Sequence, residues 1–236
     1  SLHKRGYRVA MTDAPLKETL AATLLMQAGW QESGLPALVD PMCGSGTFLI
    51  EAAWMAADIA PGINRDYFGF LGFSPFDQAI WKSVRDEALE RRQAGLGKML
   101  PQFFGFDASE DAVQAARRNV QAAGLDGVIT LERQALYQLR KPETAPTTGL
   151  LVCNPPYGER LDIDMERFYQ NIGDTLKKSY PNTNAWFITA NLEALKHVGL
   201  KPSRKIKLFN GSLEARLVKY EMYAGSKRTK FQKTEE

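Results

Sequence analysis

Apolar residues along this chain follow two alternating rhythms. Leu16, Leu20 and Leu24 stand at i, i+4 and i+8, with Leu25 beside them. This predicts an amphipathic helix over about 15–28, capped near Asp13-Ala14-Pro15 and stopped by Gly29. Glu18 and Thr19 fall off the leucine stripe and are expected to face solvent. A short apolar run, Leu35-Pro36-Ala37-Leu38-Val39, then reads as a strand. The glycine turn Asp40-Pro41-Met42-Cys43-Gly44-Ser45-Gly46-Thr47 follows it, and a helix runs from Phe48 to about Asp58. Residues 61–75 are rich in Gly, Pro and aromatics, and 76–95 read as a charged helix closing at Gly95 and Gly97. Together, 61–100 look like an insertion that covers a pocket or packs outside as a covering helix.

The alternation resumes downstream. Phe103-Phe104-Gly105-Phe106-Asp107 is a strand ending in an acid. Ser109 caps a helix from Glu110 to Ala123, with Ala112, Val113, Ala116 and Val120 on one side and Gly124 as stop. Strands follow at Val128-Ile129-Thr130-Leu131 and at Gly149-Leu150-Leu151-Val152-Cys153. The second runs into Asn154-Pro155-Pro156-Tyr157-Gly158. Phe168, Ile172 and Leu176 mark a helix over 164–179. A fifth strand covers 185–190, a short helix 191–198, and a terminal hairpin over 204–223 turns at Asn210-Gly211-Ser212. Strands alternating with helices predict an α/β fold: a mostly parallel, seven-stranded, Rossmann-like sheet covered on both faces, with a C-terminal antiparallel hairpin. Ligands of such sheets bind beyond the carboxyl ends of the strands. Asp40, Asp107 and Asn154 all fall at those ends.

Composition adds bounds. At 236 residues with 44% hydrophobic and 24% charged positions, the chain is globular and one large domain is the default. No apolar stretch approaches the roughly 20 residues that span a bilayer, and no secretory signal opens the chain. Two cysteines, Cys43 and Cys153, cannot make a disulfide framework. With only His3 and His197, no metal site is expected. These points favour the cytosol. Net charge is +3, but residues 201–236 hold ten Lys/Arg against four Asp/Glu. Lys4, Arg5 and Arg8 make the other end basic as well. Solvated termini and a phosphate-contacting surface explain Arg204, Lys205 and Lys207 equally well.

The glycine turn narrows the ligand. Gly44 and Gly46 admit positive φ and let a ligand lie against the backbone at a helix N-terminus. A nicotinamide dinucleotide needs a third glycine in register for its pyrophosphate, which is absent here, and Asp40 would repel that group. An acid at this point suits an ammonium. Asp107 offers two carboxylate oxygens to two ribose hydroxyls. A nucleoside with an amino-acid arm fits both acids, which describes S-adenosylmethionine. Asn154-Pro155-Pro156-Tyr157 is the strongest signal. Its two prolines remove two N–H donors, so the turn presents acceptors. The Asn154 side-chain oxygen and the Pro155 carbonyl can each take one N–H of a planar amine, localising its lone pair for attack on a methyl group. Tyr157 can stack on an extruded base.

Four segments carry a resemblance: Lys4-Arg5-Gly6-Tyr7-Arg8, Ala14-Pro15-Leu16-Lys17-Glu18-Thr19, the turn Asp40 to Thr47, and Asn154-Pro155-Pro156-Tyr157-Gly158-Glu159-Arg160-Leu161. Over about residues 2–224 the chain resembles the catalytic domain of bacterial 23S ribosomal RNA guanine-N2 methyltransferases, whose family normally carries an N-terminal THUMP domain. The resemblance implies a class I S-adenosylmethionine-dependent methyltransferase fold, with 1–35 as entry segment and helix, 36–224 as catalytic domain and 225–236 as a basic tail expected to be disordered. It implies that Glu18 and Thr19 help enclose the cofactor. Asp40, Met42, Cys43, Gly44, Ser45, Gly46 and Thr47 would hold its methionine part, Asp107 with Ala108 its ribose, and Asn154 to Tyr157 the target guanine, with Asn154 also contacting the cofactor. Many methyltransferases place an acid after the third strand for the adenine amine. Ala135 stands there instead, leaving Gln134 or a backbone carbonyl to substitute. The implied partner is 23S rRNA or its precursor, and a THUMP domain is expected in the full-length protein. Adenine N6 in nucleic acid, a protein glutamine amide, and a non-catalytic RNA-binding assembly factor remain alternatives.

Overall fold

Ala37–Asp40 is buried at every position and forms the central strand β1. A strand with no exposed face must be covered on both sides, and the chain supplies two layers of helices to do so. The computed structural model describes residues 4–12, 16–140, 148–156 and 164–224. The other strands are β2 (Gln102–Asp107), β3 (Ile129–Arg133), β4 (Leu150–Cys153), β5 (Asn184–Thr189), β6 (Arg204–Asn210) and β7 (Leu213–Glu221). The helices are α1 (Glu18–Gln27), α2 (Thr47–Ala56), α3 (Gln78–Leu96), α4 (Glu110–Ala122) and α5 (Met165–Ser179). The sheet has seven strands in the order β3-β2-β1-β4-β5-β7-β6. β1 to β5 are parallel, and β7 runs antiparallel between β5 and β6. The expected mostly parallel sheet with a terminal hairpin is present.

The period-2 alternation of side chains divides the core. Leu150 and Val152 of β4 point into one apolar layer with α1, α2, α4 and the entry segment. Leu151 and Cys153 point into the other, with α5. The first layer includes Tyr7, whose ring meets Trp54 edge-on at 5.2 Å, and Trp30 against Phe103 at 5.8 Å. The entry segment and α1 are therefore built into the core layer.

Two readings need adjustment. α1 begins at Glu18, because Lys17 is extended and offers no side-chain cap. The cap expected at 13–15 lies outside the described residues, as do Pro142 to Thr147, Tyr157 to Ile163 and the tail 225–236. Glu18 does not face solvent: it is buried. α3 forms the expected charged helix, with Asp77 accepting from Ala79 and Ile80 N–H at its start. It lies on the outside, and Gly95 is its one buried residue. Its anchors are a two-bond fork from Arg91 to Asp58 (2.8 and 2.7 Å) and the seat of Gly95 on the carbonyl of Ala57.

Candidate active site

The strand order reverses between β1 and β4, since the chain moves outward to β2 and β3 and then returns to the other side of β1. The carboxyl ends of β1 and β4 therefore flank the crevice where such sheets bind ligands. Register makes this concrete. Asp40 pairs with Gly105 of β2, so Asp107 lies two residues beyond that row. Val39 pairs with Leu151 of β4, so Asn154 likewise lies two residues beyond Asp40's row. Asp107 and Asn154 thus stand level on either side of the glycine turn, roughly two strand spacings or 10 Å apart. Asp40 lies deeper between them.

Each group has a distinct electrostatic setting. Asp40 is 2% exposed. Burial holds its carboxyl well above the usual carboxylate range, against the opposing bond from Met42 N–H to Oδ1 (3.1 Å), and Asp107 adds to the rise. A buried carboxylate in this state favours a cation beside it. Asp107 accepts Gly44 N–H on Oδ2 and Ser109 N–H on Oδ1, both at 3.0 Å, and so ties the first two strand–helix turns together. Each oxygen keeps acceptor capacity for a hydroxyl. Gly46 has φ +82° at the N-cap of α2, and Gly44 has φ +52°, where an L side chain is strained. Asn154 is half-buried, and its Oδ1 is fully enclosed with no hydrogen-bond partner among the described residues. A buried acceptor left open at a site is a vacancy for a donor. Pro155 is buried and Pro156 half-buried behind it, while Tyr157 lies outside the described residues.

Other expected site residues have internal duties. Ser45 Oγ and Thr47 Oγ1 accept from Arg8 at 3.0 and 3.1 Å, so both face the entry segment. Glu18 is paired to the same Arg8 at 2.9 Å. Thr19 is half-buried on α1, and Ala108 is exposed beside Asp107. Met42 packs partly buried against the α5 layer. Gln134 donates its side-chain amide to Gln138 O at 3.1 Å, its backbone N–H binds Asp107 O, and Ala135 starts the turn that follows. Burial and the carboxylates of Asp40 and Asp107 push the Cys43 thiol well up, so it is a neutral packing group. Two surface clefts of about 410 and 420 Å³ lie elsewhere, beside α5 and between α1, α2 and α3. Polar convergence at the strand ends marks the site; cavity size does not.

Sequence reasoning missed the frame behind the turn. Arg8 also donates to Leu16 O at 2.8 Å, so its guanidinium joins the entry segment, α1 and the glycine turn. Asn119, fully buried in α4, accepts from Val9 and Ala10 N–H and donates to Ala10 O and Ser45 O, all at 2.9 Å. Glu51 accepts from Tyr7 at 2.9 Å and from Arg5 at 3.3 Å, and burial pushes its carboxyl up despite Arg5. Arg5 and Arg8 are therefore internal ion-pair members, and they contribute little to a basic surface. The one available signal was an asparagine at helical spacing from Ala112, Ala115 and Ala116.

A family model described as the RMKL-like methyltransferase domain matches residues 5–219. The chain belongs to this family. Its fold is that of the family's S-adenosylmethionine-dependent enzymes. Similar curated proteins include the ribosomal RNA large subunit methyltransferase K/L of Syntrophotalea carbinolica, 45% identical over 94% of this chain. The protein of the same name from Cellvibrio japonicus is 45% identical over 93% of it. The chain spans about a third of the length of these relatives, 32% and 30% respectively. Among solved structures, the methyltransferase SMU.472 in complex with SAH shares 36% identity at TM-score 0.82, covering 95% of this chain and 57% of that one. A predicted N6-adenine-specific DNA methylase from Listeria monocytogenes shares 32% at TM-score 0.79, covering 94% and 55%. The family's cofactor is S-adenosylmethionine, and the crevice of this RMKL-like domain brings together the buried acid Asp40, the carboxylate of Asp107 and the enclosed Oδ1 of Asn154.

Proposed function

We propose that this domain transfers a methyl group from S-adenosylmethionine to the exocyclic N2 amine of a guanine in large-subunit ribosomal RNA, which would place its work in the bacterial cytoplasm. The observation that carries the reading is the enclosed Asn154 Oδ1 at the crevice between β1 and β4, which has no partner among the described residues. The names of the curated relatives support ribosomal RNA as substrate. The cofactor, when bound, supplies an electrophilic methyl on a sulfonium. The chain's own residues do the rest. Asp40 holds the ammonium of the amino-acid arm. Asp107 accepts from the ribose while its bonds to Gly44 and Ser109 keep it oriented. Asn154 Oδ1 and the Pro155 carbonyl each hold one amine proton. Those two bonds draw the nitrogen away from planarity and aim its lone pair, and once methylated the nitrogen gives up one of those protons to solvent. Tyr157 stacks on the extruded base.

The test is methyl transfer from labelled S-adenosylmethionine to unmodified ribosomal RNA by the full chain, followed by nucleoside analysis. N2-methylguanosine is expected. Asn154→Ala is expected to lower kcat by about 10²-fold or more while leaving SAH binding within reach of the parent. Unchanged transfer by that variant would sink the mechanism. A second reading, methylation of adenine N6, is favoured by the name of the Listeria neighbour, and the same product analysis separates the two. An assembly factor without catalysis would bind cofactor and RNA and methylate neither nucleoside.

A further inference from the structure

The β6–β7 hairpin reaches the same end of the sheet as the site. β5 is parallel to β4, and its last residue, Thr189, pairs with Arg216 near the start of β7. The turn joining Asn210 to Leu213 therefore projects beyond the carboxyl ends of the parallel strands. It stands three strand spacings from the end of β4, roughly 14 Å, or about two nucleotide steps along a single strand. Phe209 is 58% exposed there and Leu213 47% exposed across the turn. Lys207 reaches over the Phe209 ring at 5.7 Å. Lys205 is exposed on the same face of β6, two residues back. The two strands carry five cations and two carboxylates, and one of the latter, Glu214, holds Lys207 at 2.6 Å and Arg216 at 2.7 Å.

Lysines on an edge strand deter sheet-to-sheet aggregation, and that accounts for Lys205. It does not account for Phe209, since an exposed ring makes an edge more adhesive. Interleaved cations and an exposed aromatic ring fit a different occupant: a single nucleic-acid strand, its phosphates on ammonium groups and a base on the ring. We propose that the tip of this hairpin binds the single-stranded RNA flanking the methylated nucleotide, with Phe209 stacking on a base and Lys205 meeting the adjoining phosphate. Lys207, held by Glu214, packs beside the ring and steadies it. This rests on RNA being the substrate of the site.

The experiment uses the full chain, a fluorescent fragment of unmodified large-subunit ribosomal RNA, and the variants Phe209→Ala, Phe209→Trp and Lys205→Glu. RNA affinity, its salt dependence, KM against kcat, and SAH affinity are measured. Phe209→Ala is expected to weaken RNA binding about tenfold and raise the RNA KM to match, and Phe209→Trp to restore both. Lys205→Glu should weaken binding and flatten the slope of log K against log salt by about one phosphate contact. SAH affinity and kcat at saturating RNA should not change. Alanine and glutamate variants that bind RNA as the parent does would overturn the proposal. A parent that binds RNA without methylating it would overturn the function proposed above, and the binding arms would still decide the hairpin. A parent that binds no RNA would overturn both.

Discussion

Asn119 carries no charge and exposes no surface, yet it holds the entry segment to the glycine turn through four hydrogen bonds with backbone groups. Asn119→Ala leaves those groups without a partner in a buried place. It is expected to cost about 2–3 kcal/mol in urea unfolding and to weaken SAH binding, because Ser45 loses an anchor. Unaltered unfolding would show that water replaces the side chain. Asp40 gives the opposite sign. Its carboxyl is held above the ordinary range, so folding favours the protonated form. The group costs stability once the pH exceeds its unfolded value of about 4, and the cost is complete above its raised folded value. Asp40→Asn should therefore stabilise the ligand-free protein by about 1 kcal/mol at neutral pH and by nothing near pH 4, while destroying cofactor binding. A thermal-melt series across pH, with and without SAH, checks both halves. Asp40, Asp107 and Asn154 were legible because polar residues ending apolar runs stand out in sequence. Arg8 and Asn119 were not, because the glycine-turn residues that Arg8 holds lie 37 and 39 positions away, and the backbone groups that Asn119 holds lie 74 or more away.

Elements were legible to within a few residues where a cap or a period marked them. Ser109 accepts from Ala112 N–H as its spacing implied, and α5 runs to Ser179 with Ile172 and Leu176 buried. The detail shifted: Tyr169, whose hydroxyl meets Thr189 at 2.7 Å, is buried, while Phe168 is half-buried. Periodicity sets a stripe, and packing chooses which neighbour within it turns inward. β3 extends to Arg133, two residues beyond its apolar run, since pairing with β2 continues through Asp107. α3 owes its position to a contact that no pattern reveals. A Cβ on Gly95 would collide with the carbonyl of Ala57. Gly95→Ala should push α3 off the end of α2 and destabilise the domain by about 1–3 kcal/mol. The corresponding fall in Tm is about 2–4 °C per kcal/mol. Unchanged melting would mean that the Arg91–Asp58 pair and the packing of Trp81 on Phe68 and Phe70 hold α3 without the Gly95 contact.

Across the whole molecule, protection is concentrated in the parallel strands. β1 and β4 are buried at every position, while α3 has one buried residue. Amide exchange over 78–96 should proceed by local opening, and exchange in β1 and β4 only with global unfolding. Equal protection of α3 and β4 would contradict this. The alternation of strands and helices was enough to determine a parallel sheet, because a strand apolar on both faces has no other stable cover. The glycine turn and the Asn154-Pro155-Pro156 turn were local in sequence, so their place at the ends of β1 and β4 was readable before any fold was known. Strand order was decided in three dimensions: it brings residues 40, 107 and 154 to one crevice and carries residues 209–213 to the same end. The entry segment's arginines, basic in sequence, became interior only when Glu18 and Glu51 met them. Contacts between residues far apart in the chain leave no periodic trace, because they depend on the packing of whole layers and not on the local conformational preferences that a sequence displays.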